Sequence, residues 1–200
     1  AVVFLISSFF FYDFNFINSY LENRNFTEPL FVFVIMTACA TKPILYFCER
    51  LILFAATLIP TSKSIAVYIS AMVIGPTLGS FITEPAAMTV TAFFLLEYFY
   101  SKNISDQLKF STIGLLFVNI SIGGTLTPYA APPVLMVAKT WGWDISFMLL
   151  HFGWKAILAM ILSTLTVVFI HKKELRQLRM SLSESQKKMP YWVIAVHMTF

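Results

Sequence analysis

Charge is scarce in this chain. Only 12% of its 200 residues are Asp, Glu, Lys or Arg, against about 25% in an ordinary soluble domain. That is too little polar surface to cover a water-facing globule. With 58% hydrophobic residues and a mean hydropathy of +0.77, the composition predicts an all-α, polytopic membrane protein. Cysteine is scarce too. Cys39 and Cys48 lie in or beside one apolar segment, which excludes a disulfide framework or a cysteine metal site and leaves two small buried hydrophobes. No basic stripe alternates with stacking aromatics, so nucleic acid is not an expected partner. G-x-G-x-x-G, the P-loop, H-E-x-x-H and G-x-S-x-G are all missing, as is any 20–50-residue repeat. No charged region or cleavage site accompanies Ala1, which argues against a signal peptide. The chain opens inside one apolar run and ends at the start of another. We expect the amino-proximal half of a larger protein, one of two inverted repeats.

What is present centres on Gly123-Gly124-Thr125-Leu126-Thr127-Pro128-Tyr129-Ala130-Ala131-Pro132-Pro133. The flanking apolar runs, Ser111–Ile122 and Val134–Ala138, are each too short to cross a bilayer alone. Backbone exposed to lipid cannot leave its hydrogen bonds unmade. Glycines, threonines and prolines within one membrane segment therefore predict a broken helix over 111–138, facing protein or water. A short polar loop between two ordinary spans is the alternative. A second break lies within 64–100, where Gly75 to Pro85 separates Ile65–Ile74 from Ala86–Tyr100. Even the longer arm, at about 15 residues and about 23 Å, falls short of a hydrocarbon core of about 30 Å, which predicts a re-entrant hairpin. Two short spans joined by a wet loop are the other possibility.

The remaining segments are plainer. Ala1–Phe11 resembles the tail of a span, and Tyr12–Glu28 a polar connection. Pro29–Phe47 is long enough to cross, interrupted at Thr41-Lys42-Pro43. Leu51–Ile59 is too short and suggests an interfacial helix. Trp141-Gly142-Trp143-Asp144 predicts a turn at interface depth, 145–170 a full span, and 171–189 a basic loop. Arg50, Lys63, Lys102, Lys109 and the Lys and Arg residues of that loop fall on one side, with only Arg24 and Lys139 opposite. The excess assigns the first side, including 171–189, to the cytoplasm.

At the two breaks the chain resembles the ion transporter superfamily, which includes sodium/proton antiporters, arsenite permeases, citrate and dicarboxylate carriers and the melanosomal P-protein. The hairpin motif S-A-F-L-D-N is matched by Gly79-Ser80-Phe81-Ile82-Thr83-Glu84-Pro85. The later motif N-I-G-G-x-x-T-x-I-G-D-P-P-N is matched from Asn119 to Val134, with Ala130-Ala131 in place of Gly-Asp and Val134 in place of the closing Asn. More narrowly, the chain is similar to a family of bacterial sodium/proton antiporters. The resemblance implies a secondary active transporter in the bacterial inner membrane, exchanging Na+ for H+ without a cofactor. It leaves open an anion or dicarboxylate carrier. A membrane-embedded enzyme, with His151 and Glu84 as acid/base or metal groups, would need a nucleophile or a third ligand, and none stands at a recognisable spacing; a non-transporting subunit would make the breaks packing kinks.

Glu84 is the leading site residue, because an ionisable group inside a membrane is costly and by default functional. A carboxylate that takes a proton or a cation, never both, suffices for exchange. A loop position or a role beside the Pro85 helix start is the alternative. Thr83, Ser80, Gly123, Gly124, Thr125 and Thr127 supply hydroxyls and freed carbonyls suited to Na+, with Glu84, Thr125 and Thr127 as its ligands; a structural kink is the plainer reading. Asn119 is a candidate for either ion contact or interhelical bonding. Lys155 is a possible charge partner of Glu84 or of an anion, or an ion pair to another helix. His151 is read as packing. The expected partners are the lipid bilayer, the transported ion, the second repeat and a second copy in a homodimer.

Overall fold

The computed structural model describes residues 14–23, 30, 33, 34, 37, 41–178, 190, 192, 193 and 196. The chain divides into two units, Ala1–Val34 and Ile35–Phe200. The first holds helix α1, Phe14–Glu22, within the stretch expected as a polar connection. Its polar side chains serve it locally: Asn18 Nδ2 donates to Glu22 Oε1 at 3.2 Å, and Asn23 Nδ2 to the Ser19 carbonyl at 2.7 Å. The expected tail at Ala1–Phe11, Cys39, most of the 29–40 part of the Pro29–Phe47 span and the 179–189 part of the basic loop lie outside the described residues.

The second unit begins with α2, Lys42–Thr57. Thr41 is its extended N-cap, and Pro43 stands in the first turn, where a missing N–H is harmless and a fixed φ fits. The Thr41-Lys42-Pro43 triplet therefore opens α2. Leu51–Ile59 is not a separate interfacial helix. Leu51 to Thr57 continue α2, with Ile52 and Ala56 buried. The helix carries Glu49 and Arg50 through its middle because each meets a tyrosine: the Tyr98 hydroxyl donates to Glu49 Oε1, and Arg50 Nε donates to the Tyr46 hydroxyl at 3.1 Å.

Helices α3, Lys63–Ile82, and α4, Glu84–Leu95, form the hairpin, joined by Thr83 alone. A π turn, Leu96–Tyr100, prolongs α4. The first arm is longer than its Gly75-Pro76 breakers suggest. At 20 residues it measures about 30 Å. Pro76 has no N–H for the Met72 carbonyl, a defect that costs about 3 kcal/mol in an unsupported helix. Here Asn119 Nδ2 donates to that carbonyl at 2.8 Å, and the helix runs on.

Helix α5, Asp106–Gly123, starts at Ser105, whose hydroxyl accepts from Leu108 N–H at 3.2 Å, and passes into a 3-10 turn, Gly124–Leu126. The chain is then non-helical until α6, Pro132–Trp141. The helix expected over 111–138 is therefore interrupted at Thr127–Ala131, but the part before the gap, Asp106–Leu126, is not too short: it is long and apolar enough to cross a membrane alone. Gly142, at φ 65°, ends α6 in the left-handed conformation that glycine tolerates. Asp144 caps α7, Ile145–Ile170, by accepting from Phe147 N–H at 2.6 Å. A π turn, Leu149–Gly153, interrupts α7. A short α8, Lys172–Gln177, follows. Among the described residues there is no strand. Among the described residues three helical stretches are long and apolar enough to cross a membrane: Lys63–Ile82, Asp106–Leu126 and Ile145–Ile170. This is an all-α membrane protein.

Helix α3 is the hub, packing against α2, α4, α5, α7 and α8. Tyr68, Met72, Phe99, Leu108 and Leu175 lie in the core around it. Apolar contact alone drives helices together weakly in lipid, so interhelical polar ties matter. Tyr68 and Thr112 hydroxyls bond at 3.0 Å, and Ser70 Oγ donates to the Ile52 carbonyl at 2.6 Å. Asn119 also donates to Thr164 Oγ1 at 3.0 Å and accepts from Ser163 Oγ at 2.8 Å, so one side chain joins α3, α5 and α7.

The connections assigned to one side by their charge converge at one end. Ser64 Oγ donates to the Leu178 carbonyl at 2.5 Å. Ser105 donates its N–H and hydroxyl to the Glu174 carboxylate at 2.6 and 2.8 Å. Ser111 Oγ and His171 Nε2 bond at 3.1 Å. The hairpin turn and the gap after α5 gather at the other end. The 3-10 turn there packs against Leu149–Gly153, about 6–12 Å inside the start of α7 at 1.5 Å per residue. The 3-10 turn also meets Ile145–Met148, so it packs along the first turns of α7.

Candidate functional site

Ser80 locks the two breaks together. Its hydroxyl donates to the Gly123 carbonyl and accepts from Leu126 N–H at 3.1 Å, while Thr127 Oγ1 donates to the Ser80 carbonyl at 2.7 Å. Ser80 and Thr127 are buried. The approach is close because Gly123 has no side chain: a Cβ there would overlap the Pro76 carbonyl. Thr125 Oγ1 donates to the Ile122 carbonyl at 2.7 Å, closing the frayed end of α5.

Thr83 makes the turn at φ 96°, ψ 149°, the one described non-glycine residue at positive φ. A β-branched residue there costs about 1–3 kcal/mol. Its hydroxyl is also buried without a partner, a further cost of about 1–3 kcal/mol. Strain and an unmet hydroxyl coincide at the residue before Glu84, which opens α4 with Pro85 behind it.

Glu84 is half-buried and borders a cavity of about 370 Å³, together with Met88, Thr89, Phe117, Ser121 and Pro132. Its carboxyl faces the end of α5. A Cβ built on Gly124 would lie 3.7 Å from Glu84 Cγ and Cδ and 3.3 Å or less from nothing but Ala131 Cβ, at 3.2 Å. The two glycines therefore differ: Gly123 admits the hairpin backbone, whereas a Cβ at 124 would press on Ala131 and meet Glu84 only at ordinary contact distance. The N-termini of α4 and α6 both reach this cavity, through Glu84 and Pro132.

Not every expected site residue joins this group. Asn119 is fully buried, with its amide and carbonyl groups bonded to Met72, Thr164 and Ser163. Lys155 is exposed on α7, its ammonium 5.6 Å from the Trp154 ring centre, and no ion pair joins it to Glu84 among the described residues. His151 stacks on Phe147 and bonds the Phe147 carbonyl at 3.0 Å. One residue escaped the sequence reading: Ser121, whose hydroxyl interacts with the Glu84 carboxyl across the cavity. Its signal was helical spacing, since Phe117, Ser121 and Gly124 fall on one face of α5.

A carboxylate at a strained hairpin turn, docked against an interrupted helix in an all-α membrane bundle, is an arrangement of the kind that broken-helix transporters use. The comparison with known families narrows this. Over residues 1–200 the sequence matches the family described as "Putative Na+/H+ antiporter", and the chain belongs to that family. Membership points to a transporter rather than an enzyme. No curated protein and no solved structure matches the chain.

Proposed function

We propose that this protein exchanges Na+ for H+ across a bacterial inner membrane, with Glu84 as the carrier that both ions share. The observation that carries the reading is the position of Glu84, half-buried on a cavity where the two breaks meet. Ionised, the carboxylate binds a cation. Protonated, it binds none. That exclusion couples two opposed fluxes without a second titrating group. Thr83 supports the reading, because an ion or a movement of the turn would satisfy its unpartnered hydroxyl. Ser80, Gly123, Gly124, Thr125 and Thr127 hold the frame. Asn119 and Lys155 are not needed as ligands, the first because its side chain is already bonded and the second because it faces outward.

Helix N-termini favour anions, and two of them reach the cavity. The anion already present is Glu84 itself, which makes the site a poor receptor for a substrate carboxylate and a good one for a cation. The test uses full-length protein in proteoliposomes with an imposed pH gradient. Na+, Li+, K+ or a dicarboxylate is added in turn while internal pH is followed, for wild type and Glu84→Gln. Collapse of the gradient by Na+ or Li+, lost in Glu84→Gln, is expected. Silence with cations and a response to the dicarboxylate would overturn the antiporter in favour of an anion carrier.

A further inference from the structure

We propose that Ser121 is the second side-chain ligand of the cation and the residue that holds the Glu84 carboxylate in place between turnovers. The inference rests on Glu84 as carrier and adds a residue that the motif comparison passes over. Three observations support it. Ser121 and Glu84 line the same cavity from different elements, α5 and the hairpin. The Ser121 hydroxyl is the side-chain hydrogen-bonding group acting on the Glu84 carboxyl. The other hydroxyl lining the cavity, that of Thr89, donates to the Pro85 carbonyl at 2.9 Å and so is turned to its own helix.

A serine hydroxyl suits each state of the carrier. It donates to the empty carboxylate and accepts from the protonated acid. Beside a bound Na+, its lone pairs point at the cation as a hard oxygen ligand, the donor class that alkali and alkaline-earth cations prefer. The hydroxyl comes from the last turns of α5, just before the gap. A change in that gap therefore moves one ligand relative to the other.

Na+-driven collapse of a pH gradient in proteoliposomes, measured against Na+ concentration, tests this with wild type, Ser121→Ala, Ser121→Thr and Glu84→Gln. Ser121→Ala is expected to raise the half-saturating Na+ concentration about tenfold, equivalent to about 1.4 kcal/mol, with a maximal rate within about twofold of wild type. Ser121→Thr restores the hydroxyl and is expected to stay within about twofold of wild type in both. The side chain is exposed to the cavity, so both variants should fold, which size-exclusion and thermal unfolding in detergent verify. An unchanged Na+ dependence in Ser121→Ala would overturn the assignment while leaving Glu84 as carrier, provided Glu84→Gln is inactive. Equal impairment by Ala and Thr would also overturn it, by pointing to packing. Full exchange by Glu84→Gln would overturn the carrier and this inference together.

Discussion

Pro76 and Thr83 both disturb the same helical arm, and they are treated differently. At Pro76 the orphaned Met72 carbonyl is met by Asn119, and the helix continues. At Thr83 the helix ends, φ is 96°, and the hydroxyl is buried without a partner. One break is mended by a side chain from α5. The other is left open beside a carboxylate and a cavity. Interiors seldom leave polar groups unpaired, and in lipid the incentive to pair them is strong. The contrast separates a defect repaired within the scaffold from a strained turn left beside the proposed carrier.

The contrast can be broken by mutation. The largest effect is expected at Gly123, where Ala would drive a Cβ into the Pro76 carbonyl. A loss of about 3 kcal/mol is expected, read as a lowered unfolding midpoint in detergent. Gly114, with nothing within 4 Å of a new Cβ, should instead gain up to about 1 kcal/mol as Ala. Next comes Asn119→Leu, which strips the partners from the Met72 carbonyl, Thr164 and Ser163. It should cost about 2 kcal/mol while leaving the apparent Na+ affinity of surviving protein unchanged. A selective loss of Na+ affinity would make Asn119 a ligand after all.

Thr83→Gly should do the reverse. Relief of the positive φ is expected to raise stability by about 1 kcal/mol, while loss of the hydroxyl weakens exchange. A variant both more stable and fully active would show that the strain serves nothing. The smallest effect belongs to Lys155→Gln. With its ammonium over Trp154, exchange should stay within about twofold of wild type, whereas complete loss would revive a charge pair across the bundle.

Much of this arrangement was legible in the residues. The gap after Leu126, the turn at Gly142 and the limits of the 145–170 span follow from glycine and proline placement and from unbroken apolar length. The charge bias also sorted the connections that converge at one end. What local pattern missed depended on distant partners. Pro76 marks a helix end unless something caps Met72, and the capping Asn119 lies on another helix. Leu51–Ile59 looked too short to stand in the bundle because the tyrosines that accommodate Glu49 and Arg50 were not evident as their partners. Ser121 passed for an ordinary small polar residue until the docked hairpin brought Glu84 to its face. The outward direction of Lys155 was hidden because α7 is apolar on every side and gives no phase.

The central claim is that Glu84 holds either a proton or a cation. The most direct measurement is calorimetric titration of Na+ into purified full-length protein at several pH values, in buffers of different ionisation enthalpy, so that protons released per Na+ bound can be counted. The account predicts release approaching one proton per Na+ at acidic pH, apparent affinity weakening about tenfold per pH unit there, and no coupled release in Glu84→Gln. Tight Na+ binding that releases no proton in wild type, or release that persists in Glu84→Gln, would contradict it.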